Sequence, residues 1–591
     1  MTISRFNLLR KCLPAGVGKG LLALVIAGAS GAMANGQQAY PSPETQAQPA
    51  LRETQSSNPF TGATGNVQPI GYVANNNLNA EVEQLKQELR EQKAQLASLQ
   101  SAKADDKNKP YRIGSDTKMS GAWKNGGELA SANGDFRMKP RGRTQFDWVG
   151  FTSGSNSYYN GTVGDGAQNA VDFRRLRTGV EGTLYEQYDF AVELDWVNSV
   201  RVDPAGTPAN LANPPGTPVV SNANGGANNI VKNNSSNQIT LTPAPTDVWF
   251  NMRDVPLVGN IRVGNIKYCL GLEHSNSSRF LDFMERSLNQ DAFTGVFNNG
   301  FAPGVLLFDW NEDQTMTWAT SLYKNSQNVF AFDAGSQNNA IANRVTWTPL
   351  YDEESHGRYM MHVGVSSQFS GNTNDQMRIR TRGSLRNGIS QYWPVTTDTG
   401  TFFCDNQYLL IPEWALVWGP WHFQAEYCGS WLQNTRATQG AIGTNQYVDG
   451  YYFQAMYFLT GEHREYERKA GAFGRVVPYE NFHLIRRDGH RSGSIMTRGA
   501  WQIGYRFNEL NLQNGARGSV ASATNLNGGI QDDHTLGLNH FLNPNSKVQY
   551  NFVISNRTTP FTPAGIQSNG ITTATGLGTS YGFGIRFALD F

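Results

Sequence analysis

The chain has 591 residues and carries 49 Lys and Arg against 48 Asp and Glu, so bulk charge gives no support to a nucleic-acid-binding protein. Its 62 glycines, 31 Phe, 23 Tyr and 13 Trp accompany a hydrophobic fraction of only 39%, which suits many strands and turns better than packed helices. Beyond the first 34 residues no stretch approaches about eighteen consecutive apolar side chains, so no spanning helix is read there.

The first predicted element is a processing signal over residues 1–34. Arg5, Arg10, Lys11 and Lys19 form its basic lead, LLALVIAGASGA from Leu21 is its apolar run, and Ala32-Met33-Ala34 is its cleavage site. The run is short for an uncleaved membrane anchor. Removing the signal takes away four of the 49 cations and none of the 48 carboxylates, leaving 45 basic side chains against 48 acidic. Any cationic surface on the exported chain is therefore local. Cys269, Cys404 and Cys428 are too widely spaced for a disulfide framework, although one pair is possible.

Residues 35–69 are rich in Gln, Pro, Ser, Asn and Thr without an apolar period and read as a disordered linker. Within 70–104 the period changes. Leu78, Val82, Leu85, Leu89, Gln92, Leu96 and Leu99 keep a 4,3,4,3 spacing, the seam of an α-helical coiled coil. Glu81 with Lys86 and Glu88 with Lys93 flank it at positions that pair across parallel helices. The segment predicts a homo-oligomer, with Leu at both core positions compatible with three strands; a single amphipathic helix docked on a body is the alternative. Residues 105–134 read as a second flexible linker.

From 135 to 591 the pattern is alternation with a period of two. In FRMKPRGRTQFDW, Phe136, Met138, Phe146 and Trp148 share one face while Arg137, Lys139, Arg141 and Arg143 share the other. Pro140 marks a strand start or a bulge; if the strand begins there, Arg143 is the surest lumen cation and Arg137 and Lys139 belong to an entrance. The same alternation runs through VEGTLYEQYDFAVELDW (180–196), GPWHFQAEY (419–427), AWQIGYRF (500–507) and KVQYNFVI (547–554). Long Gly/Asn/Pro/Thr tracts at 198–246, 369–403, 433–446, 515–532 and 556–578 contrast with short links such as WGPW (418–421) and NPNS (543–546). Long loops on one rim and short turns on the other are the asymmetry of an outer-membrane barrel; a soluble β-sandwich would also alternate. The last strand, YGFGIRFALDF, puts Tyr581, Phe583, Ile585, Phe587, Leu589 and Phe591 on one face. It resembles the carboxy-terminal assembly signal of Gram-negative outer-membrane proteins. In lipid every backbone donor and acceptor must be paired, which closure into a barrel achieves. The expected fold is thus all-β, a transmembrane antiparallel β-barrel over 135–591 preceded by the coiled coil. Its outer face would meet outer-membrane lipid, and the coiled coil would stand in the periplasm.

Several stretches resemble the phosphate-selective porin O and P family, in order over most of 140–591: GRTQFDW (142–148), FRRLRTGVEGTLYEQYDFAVELDW (173–196), IRVGNIKYCLGLE (261–273), FMERS (283–287), LTGEHREYERKAGAFGRVVP (459–478) and LGLNHFLNPNSKVQYNF (536–552). FMERS and the glycine-bounded GAFGRV segment are the distinctive ones. The resemblance implies about sixteen strands, a trimer, and a water-filled channel for small hydrophilic solutes lined by cations that replace part of an anion's hydration shell. The pore-lining candidates are Arg137, Lys139, Arg141, Arg143, Arg175, Arg177, Lys267 and Arg286. Strict alternation turns Arg174 outward and places Glu181, Glu193, Asp195, Glu413, Glu426 and Asp590 in the lumen, opposing the cations. The segment from Gly271 to about Phe293 is the candidate inward-folded constriction.

Motifs for catalysis are weak. GTSYG (578–582) fits G-x-S-x-G but opens a final strand instead of a strand-to-helix turn. GEHREYERK (461–469) lacks the H-E-x-x-H spacing and reads as a solvated loop or strand end. No enzyme, no cofactor and no metal site are expected; partners are lipid, further copies of the chain, solutes in transit and the assembly machinery that reads Phe591. A barrel-anchored tether or adhesin is the alternative function.

Overall fold

The computed structural model describes residues 83–94, 112–123, 126–153, 169–202, 240–295, 300–324, 339–371, 376–386, 396–399, 402–436, 442–488, 491–495, 497–514, 526–557 and 578–591. The chain divides into two compact units, Met1–Asn108 and Lys109–Phe591. In the first, residues 83–94 are helical, with Leu85 and Leu89 exposed. The processing signal, the 35–69 linker and the rest of the coiled-coil segment lie outside the described residues.

The second unit is a closed antiparallel barrel of sixteen strands. In chain order these are β1 Phe136–Ser153, β2 Ala170–Leu184, β3 Tyr188–Val202, β4 Thr240–Val255, β5 Gly259–Lys267, β6 Phe301–Trp310, β7 Met316–Lys324 and β8 Asn339–Tyr351. They continue with β9 Tyr359–Gly371, β10 Asn406–Trp418, β11 Trp421–Thr435, β12 Thr444–Phe458, β13 Ala500–Gln513, β14 Asn527–Asn543, β15 Ser546–Arg557 and β16 Gly578–Asp590. Each pairs with the next, and β16 closes on β1 from Ser580↔Ser153 to Asp590↔Arg143. Closure pairs the backbone all round and removes the sheet edges. A hairpin, Met119–Trp123 with Gly127–Ser131, extends the sheet at the start of β1 through Leu129↔Met138 and Ala130↔Arg137.

β1 runs straight through Pro140 instead of starting there. Its rungs to β16 end at Arg143 and those to the hairpin begin at Met138, so the missing N–H falls in a gap in the ladder, where proline costs least. Beyond it the pleat sorts the side chains. Arg143, Gln145, Asp147 and Val149 are buried, while Trp148 is exposed on the other face. The outer face is apolar around the circumference, with Phe173, Val192, Phe250, Val263, Leu322, Val345, Val365, Leu410, Ile503, Leu536, Phe552 and Phe583 all exposed. Aqueous solvent would not tolerate so extensive an apolar belt, whereas hydrocarbon would.

Six links on one rim are short: 185–187, 256–258, 311–315, 352–358, 419–420 and 544–545. The other rim carries the long connections, including 268–300 and 372–405. One exception breaks the asymmetry, since 459–499 is long and joins β12 to β13 at the short-turn rim. Cys269, Cys404 and Cys428 are buried free thiols.

Candidate functional site

Two segments enter the lumen and meet there. The first follows β5 and runs from Tyr268 back to β6. At its start Gly271 takes φ 77°, a left-handed conformation that suits glycine, and opens a single helical turn at Leu272–Ser275. The freed amides of Leu272 and Glu273 donate to the Glu426 carboxylate of β11, at 2.6 and 2.9 Å. Further on, the Asp282 carboxylate accepts from Gln454 of β12 (3.0 Å) and Gln502 of β13 (3.2 Å). Its carbonyl accepts from Asn539 of β14 (2.7 Å), and the Leu281 carbonyl accepts from Lys547 of β15 (2.7 Å). Phe283 and Met284 then lie on the wall where it has no side chains: a Cβ at Gly537 would meet Phe283, and one at Gly584 would meet Met284, each at 2.8 Å. The segment thus crosses the lumen from β11 to β16, held by backbone groups that would otherwise be unpaired.

The second segment is the strap 459–476 at the short-turn rim. The Tyr466 hydroxyl lies 2.6 Å from His362 Nδ1 of β9, whose Nε2 lies 3.2 Å from Glu413 of β10. Arg344 of β8 donates to Glu413 (2.9 Å) and to the Gly471 carbonyl (2.7 Å). The strap touches the crossing segment directly, through Phe473 N–H to Asn276 Oδ1 (2.8 Å) and Arg464 to the Phe280 carbonyl. GEHREYERK is only partly the solvated loop or strand end expected from sequence: Glu467 and Lys469 are exposed, but Glu462 and Arg464 are each 2% exposed and Tyr466 is buried.

Part of the lumen is packed with apolar side chains. Inward residues Leu409 and Ile411 of β10, Cys428 and Leu432 of β11, Val448 of β12 and Leu510 and Leu512 of β13 pack with Tyr268, Leu270, Leu288 and Phe293 of the crossing segment and with Ile379 and Phe402 of the 372–405 connection. The charged half faces β1–β4 and β14–β16. There, Glu193 of β3 gathers Arg141 (3.0 Å), Arg177 (3.4 Å), Arg279 (3.5 Å) and Arg143 (3.6 Å). Glu285 gathers Arg174 (2.7 Å), Arg586 (2.9 Å), Arg386 (3.7 Å) and Arg175 (4.0 Å). Burial alone would raise the Glu285 carboxyl, but the guanidinium groups of Arg174, Arg386 and Arg586 outweigh it and hold the group well below the usual carboxylate range.

Each predicted residue has a definite place. Arg137 is half-exposed and pairs with Glu128 of the hairpin at 3.0 Å; Lys139 stands opposite Glu181 at the same rim. Arg141 bridges Glu193, Glu181 (3.1 Å) and Asp247 (3.1 Å). Arg143 reaches the Ser278 hydroxyl of the crossing segment. Arg175 donates to Gln145 (2.6 Å), and Arg177 to Asp195 (2.9 Å). Lys267 and Arg286 instead brace the crossing segment itself. Lys267 donates to the Asn276 carbonyl at 3.0 Å, and Arg286 to the carbonyls of Glu273 and Asn276 at 3.0 and 2.6 Å.

Arg174 corrects the strict alternation. The β1–β2 register passes from Gln145↔Arg175 to Phe146↔Phe173, leaving Arg174 as the extra residue of a β-bulge. Both adjacent arginines consequently face inward and are 2% exposed. The inward carboxylates Glu193, Asp195, Glu413 and Glu426 are all buried, as alternation expects. Residues not singled out include Arg279, Arg344, Arg386, Arg464, Arg475, Arg506, Lys547 and Arg586. Arg344, Arg506, Lys547 and Arg586 lie on strands, where alternation is a usable signal; the others sit on non-repeating segments.

Among known proteins, the family model described as phosphate-selective porin O and P matches residues 143–564. Porin O of Pseudomonas aeruginosa is 23% identical over 452 residues, covering 73% of this chain and 85% of the relative. Similar solved structures include the outer membrane protein OmpT of Vibrio cholerae in a trimer form, with a TM-score of 0.39, 8% identity and coverage of 77% of this chain and 99% of that one. Salmonella typhi OmpF in complex with daunomycin has a TM-score of 0.38 and 11% identity, covering 80% of this chain and 100% of its own. With a closed sixteen-strand barrel, an apolar outer belt and a family match over most of its length, the chain belongs to the phosphate-selective porin O and P family and is an outer-membrane channel.

Proposed function

We propose that the channel passes small hydrophilic solutes with a preference for anions, along the charged half of the lumen. The observation that carries this reading is the convergence of guanidinium groups on Glu193 and Glu285, across the lumen from an apolar cluster. Arginine forks suit oxyanions, and several weak sites in series let an ion enter and leave. Arg137, Lys139 and Arg141 would stand at the short-turn mouth, which faces the periplasm in barrels of this kind; Arg143, Arg175 and Arg177 would line the path above it. Lys267 and Arg286 would act by holding the crossing segment in shape.

Supporting context is consistent with a homotrimer joined in the periplasm by the coiled coil, with lipid around the outer belt and with assembly guided by Phe591. Those points rest on the heptads, the exposed aromatic faces and the terminal strand. The test is the zero-current potential of the purified protein in planar bilayers under chloride and then phosphate gradients. A potential on the anion side in both salts supports the reading. A cation-side potential refutes it.

A further inference from the structure

On the charged half, two small cavities lie along the inward face of β16, one above and one below a barrier. The outer is lined by Ser384, Asp533, Ser555, Ser580 and Gly582, and the inner by Arg143, Arg279, Arg464, Lys547 and Asp590. They offer about 10 and about 20 Å³ to the centre of a water molecule, room for roughly one water each. The inward residues of β16 between them are Gly584, covered by Met284, and Arg586, bound to Asp147 at 2.7 and 2.6 Å and to Glu285. The barrier is therefore the Glu285 cluster itself. Around it Arg174, Arg175, Arg386 and Arg586 face Glu285, Asp147 and Asp291, the last 3.0 Å from Arg386.

We propose that the Glu285 carboxylate is a tethered stand-in for the transiting anion and thereby a specificity-determining residue of the channel. Four guanidinium groups around one carboxylate form a nest suited to a tetrahedral oxyanion. An anion that follows the inward face of β16 from one cavity to the other enters that nest, where it competes with Glu285 for the guanidinium groups. It passes by displacing Glu285 and leaves when the tethered carboxylate returns. This is the weak, multi-site binding that conduction requires, with one competing ion supplied by the protein. The idea rests on the anion path proposed above and adds to it the residue that sets how long an anion stays.

The experiment titrates inorganic phosphate against the chloride current of the full-length protein in planar bilayers. Heat-modifiable gel mobility confirms that each variant is folded. Glu285→Gln should lower the half-blocking phosphate concentration by about tenfold, since it removes a full charge at contact distance from four cations. Glu285→Asp, which keeps the charge on a shorter arm, should restore most of the wild-type value. Arg386→Gln, which weakens the nest from the 372–405 connection, should raise the half-blocking concentration about threefold. If phosphate blocks the wild type, and Glu285→Gln or (where that variant does not fold) Arg386→Gln matches it, Glu285 is a structural pin only and the inference falls while the anion path stands. A wild-type channel that phosphate neither blocks nor permeates overturns both.

Discussion

Arg464 connects the strap to the crossing segment, and its removal tests whether the strap narrows the pore. Its guanidinium is 2% exposed, lies 3.5 Å from Asp282, donates to the Gly474 carbonyl at 2.7 Å and to that of Phe280, and sits over the Phe473 ring at 5.5 Å. Breaking a buried pair by removing one partner costs about 3–5 kcal/mol. Asp282 would keep Gln454, Gln502 and His422 as neighbours, so Arg464→Ala should fall near the lower end, about 3 kcal/mol. That shifts the docked-to-released equilibrium of the strap by roughly a hundredfold. The expected outcome is a larger mean single-channel conductance with more open-channel noise, together with faster proteolysis between residues 459 and 499. Arg464→Lys should recover little, because an ammonium cannot span the carboxylate and two carbonyls as the fork does. Unchanged conductance, noise and cleavage rate in a folded Arg464→Ala protein would refute the argument.

Three further outcomes follow from other parts of the barrel. Arg143 lies 3.6 Å from Glu193, and Arg143→Glu, which puts a carboxylate in place of that guanidinium, should move the zero-current potential in a potassium chloride gradient toward cations; an unmoved potential would take Arg143 out of the path. Gly142→Val should reduce the yield of folded, heat-modifiable protein, because a Cβ there would lie 2.3 Å from the Phe591 ring and disturb the pairing of Gly142 with Phe591. Phe583→Arg puts a cation on the outer face of β16, where a charge near mid-bilayer costs about 2–4 kcal/mol; folding into lipid vesicles should weaken accordingly, whereas folding as well as wild type would deny that this face meets hydrocarbon.

The strands were legible because a pleat between lipid and water imposes the same alternation on each of them. Phe583 and Arg586 fall on opposite faces by counting alone. What defeated counting was local irregularity or tertiary docking. Arg174 turns inward because one extra residue in β2 resets the phase, and no periodicity announces a bulge within FRRLR. GEHREYERK looked solvated because its polar residues lack a pattern, yet Tyr466 and Arg464 find partners on β9 and on the crossing segment. Polar atoms folded into a lumen look like solvent-facing ones until their partners are known, since the partners are distant in sequence. FMERS was recognisable, but the opposite roles of its two charged residues were not: Arg286 is spent on carbonyls of its own segment, while Glu285 faces four guanidinium groups from the wall and a neighbouring connection.

The mixture of signs in the lumen then has a physical reason. A ring of arginines alone, buried to a few per cent exposure as Arg174, Arg175 and Arg177 are, would carry a desolvation cost with nothing to offset it. Carboxylates at Glu193 and Glu285, each shared among four guanidinium groups, make that burial tolerable. Asp195, Asp147 and Asp291 then fix individual arginines without closing the nests. The acidic residues that seem to oppose anion passage are, on this geometry, what allows so many cations to be packed along one side of a narrow barrel.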